Sequence, residues 1–403
     1  MSVFYLLAVH ILRKVRIMFI NSQDSELRLR YNSLLQKVGA LSRLYSDNEI
    51  PYLYYRTAER IFCVALDSND HSRSDLAVDS SKENIGVGLK TFTYKSSGRS
   101  FEKISEFNKL SPTLRDYYDD HRQLAITLGN YYNRRIRTAI NTYRLSETLF
   151  HCVVRRPGAF LICEYGLDYI DTDNLIIRNV NSDNTTGRLK TIDFEDSSTN
   201  SIYKFNTSKS TLFREFNYLS PIYEVPISII EDPFVFLEEV DLSEFGLETV
   251  EQADVVYLPL YSYRAGDEKY VPERSGLNQW NASGRTRHPD ELYIRIPIDI
   301  YRSFPDFFPD RLTPFDLRLP DGIMLSAKVC QQNNKALMSN PNRTLGEWLL
   351  RDVLEIPRGN VVTYNDLLEI GIDSVEIRKS GNGFEIDFKT LGTYEEFREQ
   401  YNF

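Results

Sequence analysis

The sequence predicts an α+β fold, a mixed α/β core with a central sheet flanked by helices, followed by a β-rich domain. Three observations predict this fold class. Apolar residues recur at helical spacing near the start of the chain, strand-like segments separated by turn residues continue to about residue 236, and from Val255 short strands alternate with Pro- and Gly-containing turns. The 403 residues, 42% of them hydrophobic, are enough to form two packed cores.

An acidic segment, rich in Asp and Glu, divides the two predicted parts. We therefore expect a first domain at 1–236, a linker at 237–254 and a second domain at 255–403. The net charge of −9 argues against a generally basic nucleic-acid coat. It still allows a nucleic-acid enzyme whose basic residues are concentrated on one face.

The chain carries no strong signal for a membrane or for disulfides. The apolar run at 3–9 is too short to span a bilayer and lacks the flanks of a signal peptide. Residues 1–18 are predicted to be a helix or an upstream extension, with Met18 as an alternative start. The four cysteines form no CxxC pair, which argues against a zinc knuckle and favours reduced buried thiols. We expect a cytoplasmic protein without a membrane partner.

The elements of the first domain follow from periodicity and capping. Asp24 is a suitable N-cap for a helix over 24–46, and Ser100 is one for a helix over 100–110, where apolar residues lie three apart. The other predicted elements are a buried strand at 59–67, a hairpin at 72–92, a long helix at 112–143 and a strand–turn–strand unit at 150–164.

The hairpin at 72–92 carries the strongest chemical signal. Asp75 and Asp79 lie on its predicted first strand, and Lys90 ends the second. Antiparallel pairing about the polar turn would place Lys90 roughly opposite Asp75. A carboxylate can bind a divalent cation, and a neighbouring lysine can position or polarise water, so this arrangement suits metal-assisted phosphodiester cleavage.

Two polar loops of the second domain, 275–291 and 331–343, are rich in side chains that can read DNA bases. Arg can pair with guanine O6 and N7, and Asn or Gln with adenine N6 and N7. Two such loops from one barrel could grip the major groove from both sides. The residues predicted to contact double-stranded DNA are Asn278, Gln279, Trp280, Asn281, Ser283, Arg285, Arg287, Gln331, Gln332, Asn333, Asn334, Lys335, Ser339, Asn340, Asn342 and Arg343.

Residues 255–390 resemble the pseudobarrel DNA-binding module found at the C-terminus of several bacterial restriction endonucleases and in plant auxin- and abscisic-acid-response transcription factors. The resemblance implies a β-rich pseudobarrel with two recognition arms, near 278–287 and 331–343. Related endonucleases often carry a phospholipase D-type catalytic domain, but this chain has no HxK motif. The landmarks are ProLeuTyrSer (259–262), GlyLeuAsnGlnTrp (276–280), GluLeuTyrIleArgIlePro (291–297) and LeuGlyGluTrpLeuLeuArg (345–351).

Residues 74–90 resemble the PD-(D/E)xK nucleases, which place an Asp on one strand and an acid-x-Lys on the next. Asp75 stands for the Asp of this motif and Lys90 for its lysine. The sequence departs from the pattern at Gly88, which occupies the position of the second acid.

The missing acid has several candidate replacements. Some nucleases of this class move it to the following helix, and the helix predicted here carries Glu102 and Glu106, of which Glu106 is favoured. Gly86 and Gly88 would leave space for that side chain above the strand. Glu59 could add a further acid, although a structural salt bridge is its favoured role.

Together the resemblances imply a type II restriction endonuclease that cuts double-stranded DNA. Mg²⁺ would be held by Asp75, Asp79 and Glu106, and Lys90 would position the attacking water. Cleavage of both strands suggests a homodimer or sequential nicking, and a cognate DNA methyltransferase is expected as a genetic partner. The alternatives are a modification-dependent, type IV-like nuclease, a non-catalytic DNA-binding regulator and a structure-specific repair nuclease.

Overall fold

A computed structural model describes residues 18–241 and 254–401 of the chain. It confirms the predicted fold class, because a mixed α/β part is followed by a β-rich, nearly closed sheet. Residues 1–17 and most of the predicted linker, 242–253, lie outside the described ranges, so the domain boundaries stay predictions. Within those ranges, no helix is long and apolar enough to cross a membrane.

The first part of the chain contains two sheets and six helices within its described residues. The helices are α1 (Phe19–Ser22), α2 (Ser25–Ala40), α3 (Tyr55–Leu66), α4 (Ser111–Arg115), α5 (His121–Tyr143) and α6 (Pro233–Glu238). The strands are β1 (Asn69–Asp70), β2 (Ser80–Lys82), β3 (Ile85–Thr93), β4 (Arg99–Glu106), β5 (Glu147–Arg156), β6 (Ala159–Gly166), β7 (Leu175–Ser182), β8 (Leu189–Asp196), β9 (Ser201–Asn206), β10 (Thr211–Asn217) and β11 (Tyr223–Pro226).

The first sheet has the strand order β1-β2-β3-β5-β6-β11. Its β3 and β5 run parallel, which requires a crossover, and α5 lies in the connection between them. Val87 and Leu89 point from β3 towards α2 and α3, where they pack with Leu35 and Phe62. The sheet is therefore covered by helices on this face.

The second sheet has the order β4-β10-β9-β8-β7 and is antiparallel throughout. Its apolar side packs with α5 and with the remaining face of the first sheet. Leu128 and Ile136 of α5 share this core with Phe150 of the first sheet and Phe216 of the second. The residues of β3 that alternate with Val87 and Leu89 therefore face the space between the two sheets.

The second part of the chain is built on a sheet of order β12-β19-β20-β16-β17-β18-β15, whose end strands β12 and β15 approach each other. Trp348 and Phe388 stack in its core, with ring centroids 5.4 Å apart. The strands are β12 (Val255–Pro259), β13 (Ser262–Tyr263), β14 (Lys269–Tyr270), β15 (Ile294–Arg295), β16 (Phe315–Arg318), β17 (Met324–Cys330), β18 (Ala336–Ser339), β19 (Ile372–Ser380) and β20 (Gly383–Thr390). The helices are α7 (Ile298–Ser303), α8 (Thr344–Gly346, continued by a π-helix over Glu347–Val353), α9 (Tyr364–Ile370) and α10 (Thr393–Tyr401).

Several local predictions are confirmed and three are wrong. The Asp24 carboxylate caps α2 as predicted, accepting a hydrogen bond from the Glu26 N–H at 2.8 Å. The segment 59–67 lies in the helix α3 instead of a strand, and the segment 100–110 begins as the strand β4 instead of a helix. The predicted pairing of the hairpin is also wrong, because β2 starts only at Ser80.

The two parts of the chain contact each other through ion pairs. Arg134 of α5 pairs with Asp366 (Nη2–Oδ1 3.0 Å) and with Glu369, both on α9. Arg144 Nε lies 2.8 Å from Asp321 Oδ2. These contacts join the helix that crosses the first sheet to the β-rich domain.

Candidate functional site

Asp79 is held at the start of the hairpin by the backbone of β3. Pairing of β2 with β3 begins at Ser80 and Val87, and the Asp79 N–H continues it by donating to the Val87 carbonyl at 2.9 Å. The next backbone donor of β3 on this edge, the Leu89 N–H, donates to Asp79 Oδ2 at 2.6 Å. The carboxylate thus takes the place of a strand partner and is fixed one residue from Lys90.

The charge state of Asp79 reflects two opposing effects. Burial raises the pKa of this carboxyl, while the Lys90 charge and the Leu89 hydrogen bond lower it, and burial dominates. The Lys90 ammonium lies close enough to be the largest favourable charge on Asp79. The structure therefore brings together two of the four residues predicted to be catalytic.

Glu59 joins Asp79 from the helix α3. Its side chain is 4% exposed, and Arg56 Nη1 lies 3.1 Å from its Oε2. Burial, followed by the negative charge of Asp79, raises the pKa of Glu59 to about 7, against the lowering effect of Arg56. The negative charge of Asp79 therefore disfavours ionisation of Glu59.

The Lys90 charge also lowers the pKa of a second carboxyl group, that of Glu102 on β4. The Glu102 pKa is raised by burial and lowered by Ser100 and by the nearby lysines, Lys90 among them. The Lys90 Nζ also lies 5.9 Å from the centre of the Phe150 ring. Of the two glutamates proposed to replace the missing acid, Glu102 is the one whose charge Lys90 stabilises.

Asp75 and Glu106 lie elsewhere, along a cleft of about 420 Å³ that also touches Thr390 of the β-rich domain. Asp75 Oδ2 accepts a hydrogen bond from the Thr390 N–H at 2.9 Å, and Glu106 pairs with Lys103 at 2.7 Å. The expectation that both acids complete one site with Asp79 and Lys90 is therefore not met. The reason is that Asp75 precedes the paired part of the hairpin and that Glu106 ends a strand of the other sheet.

The glycines of β3 accommodate apolar side chains. A Cβ at Gly88 would lie 3.1 Å from Leu167 Cδ1 and 3.2 Å from Phe150 Cδ1, and one at Gly86 would clash with Leu145. The predicted space for a carboxylate above these glycines is therefore filled by the core. An acid at position 88 would point into apolar packing.

The described residues contain no group of three or more His, Cys, Asp or Glu side chains that could hold a metal ion. Glu59 and Asp79 offer two carboxylates. Mg²⁺ commonly keeps several waters and uses one or two carboxylates together with substrate phosphates. The pair thus fits a hydrated Mg²⁺ and does not form an all-protein cage.

The first predicted recognition arm is partly structural. Asn278 is fully buried; its Nδ2 donates to the Pro272 and Val362 carbonyls, and its Oδ1 accepts from the Val362 N–H at 2.8 Å. Asn278 is therefore not available to DNA. Arg287 is held by backbone carbonyls, among them that of Ala282 at 2.6 Å.

The tip of the first arm remains accessible. Arg285 is 57% exposed while pairing with Glu291, and the neighbouring Asn281 and Ser283 are also exposed. Gln279 and Trp280 are half-buried against the core. The exposed tip can meet a ligand, and the base of the arm supports it.

The second predicted arm also combines buried residues that determine its shape with exposed residues that can meet a ligand. Ser339 is buried, donates to the Pro341 carbonyl and accepts from the Leu345 N–H at 2.9 Å, so it shapes the arm and is not free to read a base. Gln331, Asn333 and Asn334 have φ of 67°, 59° and 54°, and they form a tight left-handed turn that projects polar groups. The exposed residues of this arm are Gln332, Asn333, Lys335, Asn340 and Arg343, with Gln331, Asn334 and Asn342 half-buried.

The sequence analysis favoured a structural salt bridge for Glu59 and assigned no role to Arg56. Both lie on one face of α3, and the signal that could have found them was the helical spacing of Ala58, Ile61 and Ala65. Because Glu59 belongs to the helix α3, it lies over the end of the hairpin and not along a neighbouring strand.

Comparison with known families identifies the second part of the chain. Residues 258–381 match the family model of the NgoFVII C-terminal B3-like DNA-binding domain, a restriction-enzyme C-terminal domain. This confirms the pseudobarrel resemblance of the second domain, which is similar to that family from the end of β12 to the end of β19. Comparison with curated proteins finds no match for the chain. The PD-(D/E)xK resemblance of residues 74–90 stays a prediction.

Proposed function

We propose that the chain is a sequence-specific endonuclease of restriction-enzyme type, in which the β-rich domain binds double-stranded DNA and the first domain hydrolyses it with Mg²⁺. The match of residues 258–381 to a DNA-binding domain of a restriction enzyme supports the binding part. The observation that carries the hydrolytic part is the half-buried Asp79 carboxylate, which accepts the Leu89 N–H at 2.6 Å beside Lys90, together with the buried Glu59 of α3, whose pKa the Asp79 charge raises.

The carboxylate pair is unfavourable for folding, which favours a functional role. A carboxyl group whose pKa is raised to about 7 is destabilising when ionised, and perturbed groups of this kind concentrate at functional sites. Bringing a second negative charge to the same place adds to the penalty. A bound cation would relieve it.

Each residue then has a distinct role. Asp79 and Glu59 would hold Mg²⁺, which when bound supplies positive charge to stabilise the phosphorane-like transition state. Lys90 donates hydrogen bonds that orient the attacking water or the scissile phosphate. Arg56, whose side chain is 47% exposed, can exchange its contact with Glu59 for a phosphate oxygen.

The recognition arms supply the specificity in this proposal. Arg285 at the tip of the first arm and Gln332, Asn333 and Lys335 at the tip of the second are exposed and carry the groups that pair with base edges. The buried Asn278 and Ser339 fix the shapes of the arms. Cutting of both strands would use either two copies of the chain or sequential nicking by one.

Cleavage of a plasmid in Mg²⁺, followed by sequencing of the ends, tests the proposal. The parent should give discrete ends, whereas Asp79→Asn and Lys90→Met should bind the same duplex with unchanged affinity but not cut it. Lys190→Met is the matched control, because Lys190 is an exposed lysine paired with Asp183 at 2.8 Å on a distant hairpin. Full cutting by the Lys90 variant would contradict the assigned role.

A DNA-binding regulator is the second candidate. It is favoured by Gly88, whose surroundings exclude an acid, and by the lack of a three-acid group among the described residues. This function predicts specific binding by the parent with no cutting in Mg²⁺ or Mn²⁺. Digestion of methylated and unmethylated DNA in parallel separates a conventional restriction enzyme from a modification-dependent one.

A further inference from the structure

The loop that leads to Asp79 is held by the β-rich domain. Residues 71–79 connect β1 to β2, and the middle of this loop lies against β20, more than 300 positions away in the sequence. Two contacts make the connection. Lys389 Nζ donates to the Arg73 carbonyl, and the Thr390 N–H donates to Asp75 Oδ2 at 2.9 Å.

Lys389 is itself rigidly placed. Its side chain is 10% exposed, and its Nζ lies 3.1 Å from Glu376 Oε2 on the neighbouring strand β19. Glu376 also pairs with Arg378 at 2.7 Å. A long lysine side chain anchored in this way has little freedom, so the position of β20 determines the position of the Arg73 carbonyl.

The loop is also fixed on the side of the first domain. Ser74 is buried, and the His71 ring stacks on Tyr143 with centroids 3.8 Å apart. His71 Nε2 lies 2.7 Å from Ser81 Oγ on β2. The loop is therefore clamped between the two domains immediately before it presents Asp79 to Lys90.

We propose that the β-rich domain positions the catalytic carboxylate of Asp79 by holding loop 71–79 through Lys389 and Thr390. Asp75 is then a positioning residue. This inference rests on the proposed function. It assigns to Asp75 a role different from metal binding, because its carboxylate oxygen accepts a backbone N–H of the other domain. If DNA binding displaces β20, the displacement would move Asp75 and, four residues further along the chain, Asp79.

The expected effect is on the chemical step. Moving a reacting group by about 1 Å can reduce the rate about 10²-fold. Asp75→Ala removes the acceptor for the Thr390 N–H, and Lys389→Met removes the donor to the Arg73 carbonyl. Both variants should lower kcat by about 10- to 100-fold, whereas the affinity for the duplex measured without a divalent cation should change less than twofold.

Asp75→Asn separates positioning from metal binding. The Asn amide oxygen can still accept the Thr390 N–H, so this variant should retain close to parental kcat. A metal ligand would lose its function in both the Asn and the Ala variant. Lys379→Met is the matched control, since Lys379 lies on β19 and bonds to Asp254, the residue before β12, at 2.9 Å and to the Asp306 carbonyl at 3.2 Å, away from loop 71–79.

Single-turnover cleavage by the full chain, with thermal unfolding to confirm folding, decides among the outcomes. Parental kcat in Asp75→Ala and Lys389→Met would overturn the inference, and so would equal loss in Asp75→Asn and Asp75→Ala. A parent that does not cut would instead refute the proposed function. Amide hydrogen exchange of residues 71–79 tests whether the β-rich domain holds this loop, whether or not the parent cuts DNA. Exchange should be faster in Lys389→Met than in Lys379→Met, and equal exchange would overturn the inference.

Discussion

Replacing Glu59 by Gln should stabilise the fold at alkaline pH while abolishing DNA cleavage. The carboxyl group of Glu59 has its pKa raised from 4.5 to about 7 by burial and by Asp79. At about 1.4 kcal/mol for each pKa unit, the folded state disfavours the ionised form by about 3 kcal/mol. Gln has nearly the same shape, carries no charge and can still accept a hydrogen bond from Arg56.

The sign of the pH dependence follows from linkage. Below pH 4.5 Glu59 is protonated in both the folded and the unfolded state, and no penalty exists. As the pH rises from about 4.5 to about 7, the unfolded state releases its proton first, so the parent loses stability, and above pH 7 the full penalty is present. The difference in the free energy of unfolding between the Gln variant and the parent should therefore grow over this pH range and then become constant.

Thermal unfolding in EDTA at pH 5 and at pH 8 measures the difference. At pH 8 the Gln variant should unfold roughly 6–12 °C above the parent, since 1 kcal/mol shifts the midpoint of a domain of this size by about 2–4 °C. At pH 5 the two midpoints should nearly coincide. Adding Mg²⁺ at pH 8 should raise the midpoint of the parent and leave the variant almost unchanged.

The opposite result has a clear meaning. If Glu59→Gln lowers the midpoint at pH 8, the contact with Arg56 stabilises the fold more than the buried charge destabilises it. Glu59 would then be the structural salt-bridge partner that its pairing at 3.1 Å also allows. Unchanged cleavage by the variant would independently remove Glu59 from the site.

Three further predictions concern Gly88 and the recognition arms. Gly88→Glu, which restores the acid of the PD-(D/E)xK pattern, should lower the unfolding midpoint and not increase cleavage, because its Cβ would meet Leu167 at 3.1 Å; higher activity would show that the core above β3 can open. Asn278→Ala should destabilise the β-rich domain by roughly 3 kcal/mol, about 1 for each hydrogen bond lost, as measured by urea unfolding, and a stable variant with weakened DNA binding would restore Asn278 as a base reader. Arg285→Ala should weaken binding to the preferred duplex by about 1–3 kcal/mol without changing the unfolding midpoint; equal loss on unrelated duplexes would identify a phosphate contact instead.

The elements that the sequence predicted correctly are those whose signals are local. Asp24 caps α2 because its side chain bonds to a backbone N–H two residues away, and the strand–turn–strand unit formed by β5 and β6 is joined by a short turn with Gly158 at φ 74°. These interactions are completed within a few residues. They therefore leave a readable trace in the sequence.

The two incorrect elements depended on partners that are remote in sequence. The apolar residues Phe101, Ile104 and Phe107 lie three apart, yet the segment up to Glu106 forms β4 because β10 pairs with it, Phe101 lying opposite Glu215. The apolar run of α3 is too short for its period to distinguish a buried strand from a helix. Packing against β3, which places Phe62 beside Val87, decides in favour of the helix.

The candidate site shows the same limit more sharply. The local hairpin was predictable, but it was predicted to place Lys90 opposite Asp75, whereas the Asp79 carboxylate accepts the Leu89 N–H beside Lys90. Asp75 was not predictable, because its hydrogen-bond partner Thr390 lies 315 residues further along the chain. The sequence analysis placed Asp75 and Asp79 on one strand and gave them the same role. In the structure Asp79 lies at the hairpin, and Asp75 lies where the two domains meet.

The position of the second carboxylate follows from what fills each face of β3. On the face of Gly86 and Gly88 the side chains of Leu145, Leu167 and Phe150 occupy the space that an acid at either position would need. The other face is covered by α3, and a residue one turn into that helix can reach the edge of the sheet where Asp79 replaces a strand partner. In the proposed site, apolar packing against Gly88 excludes an acid at that position, and α3 would supply the second carboxylate, that of Glu59, from the other face of β3.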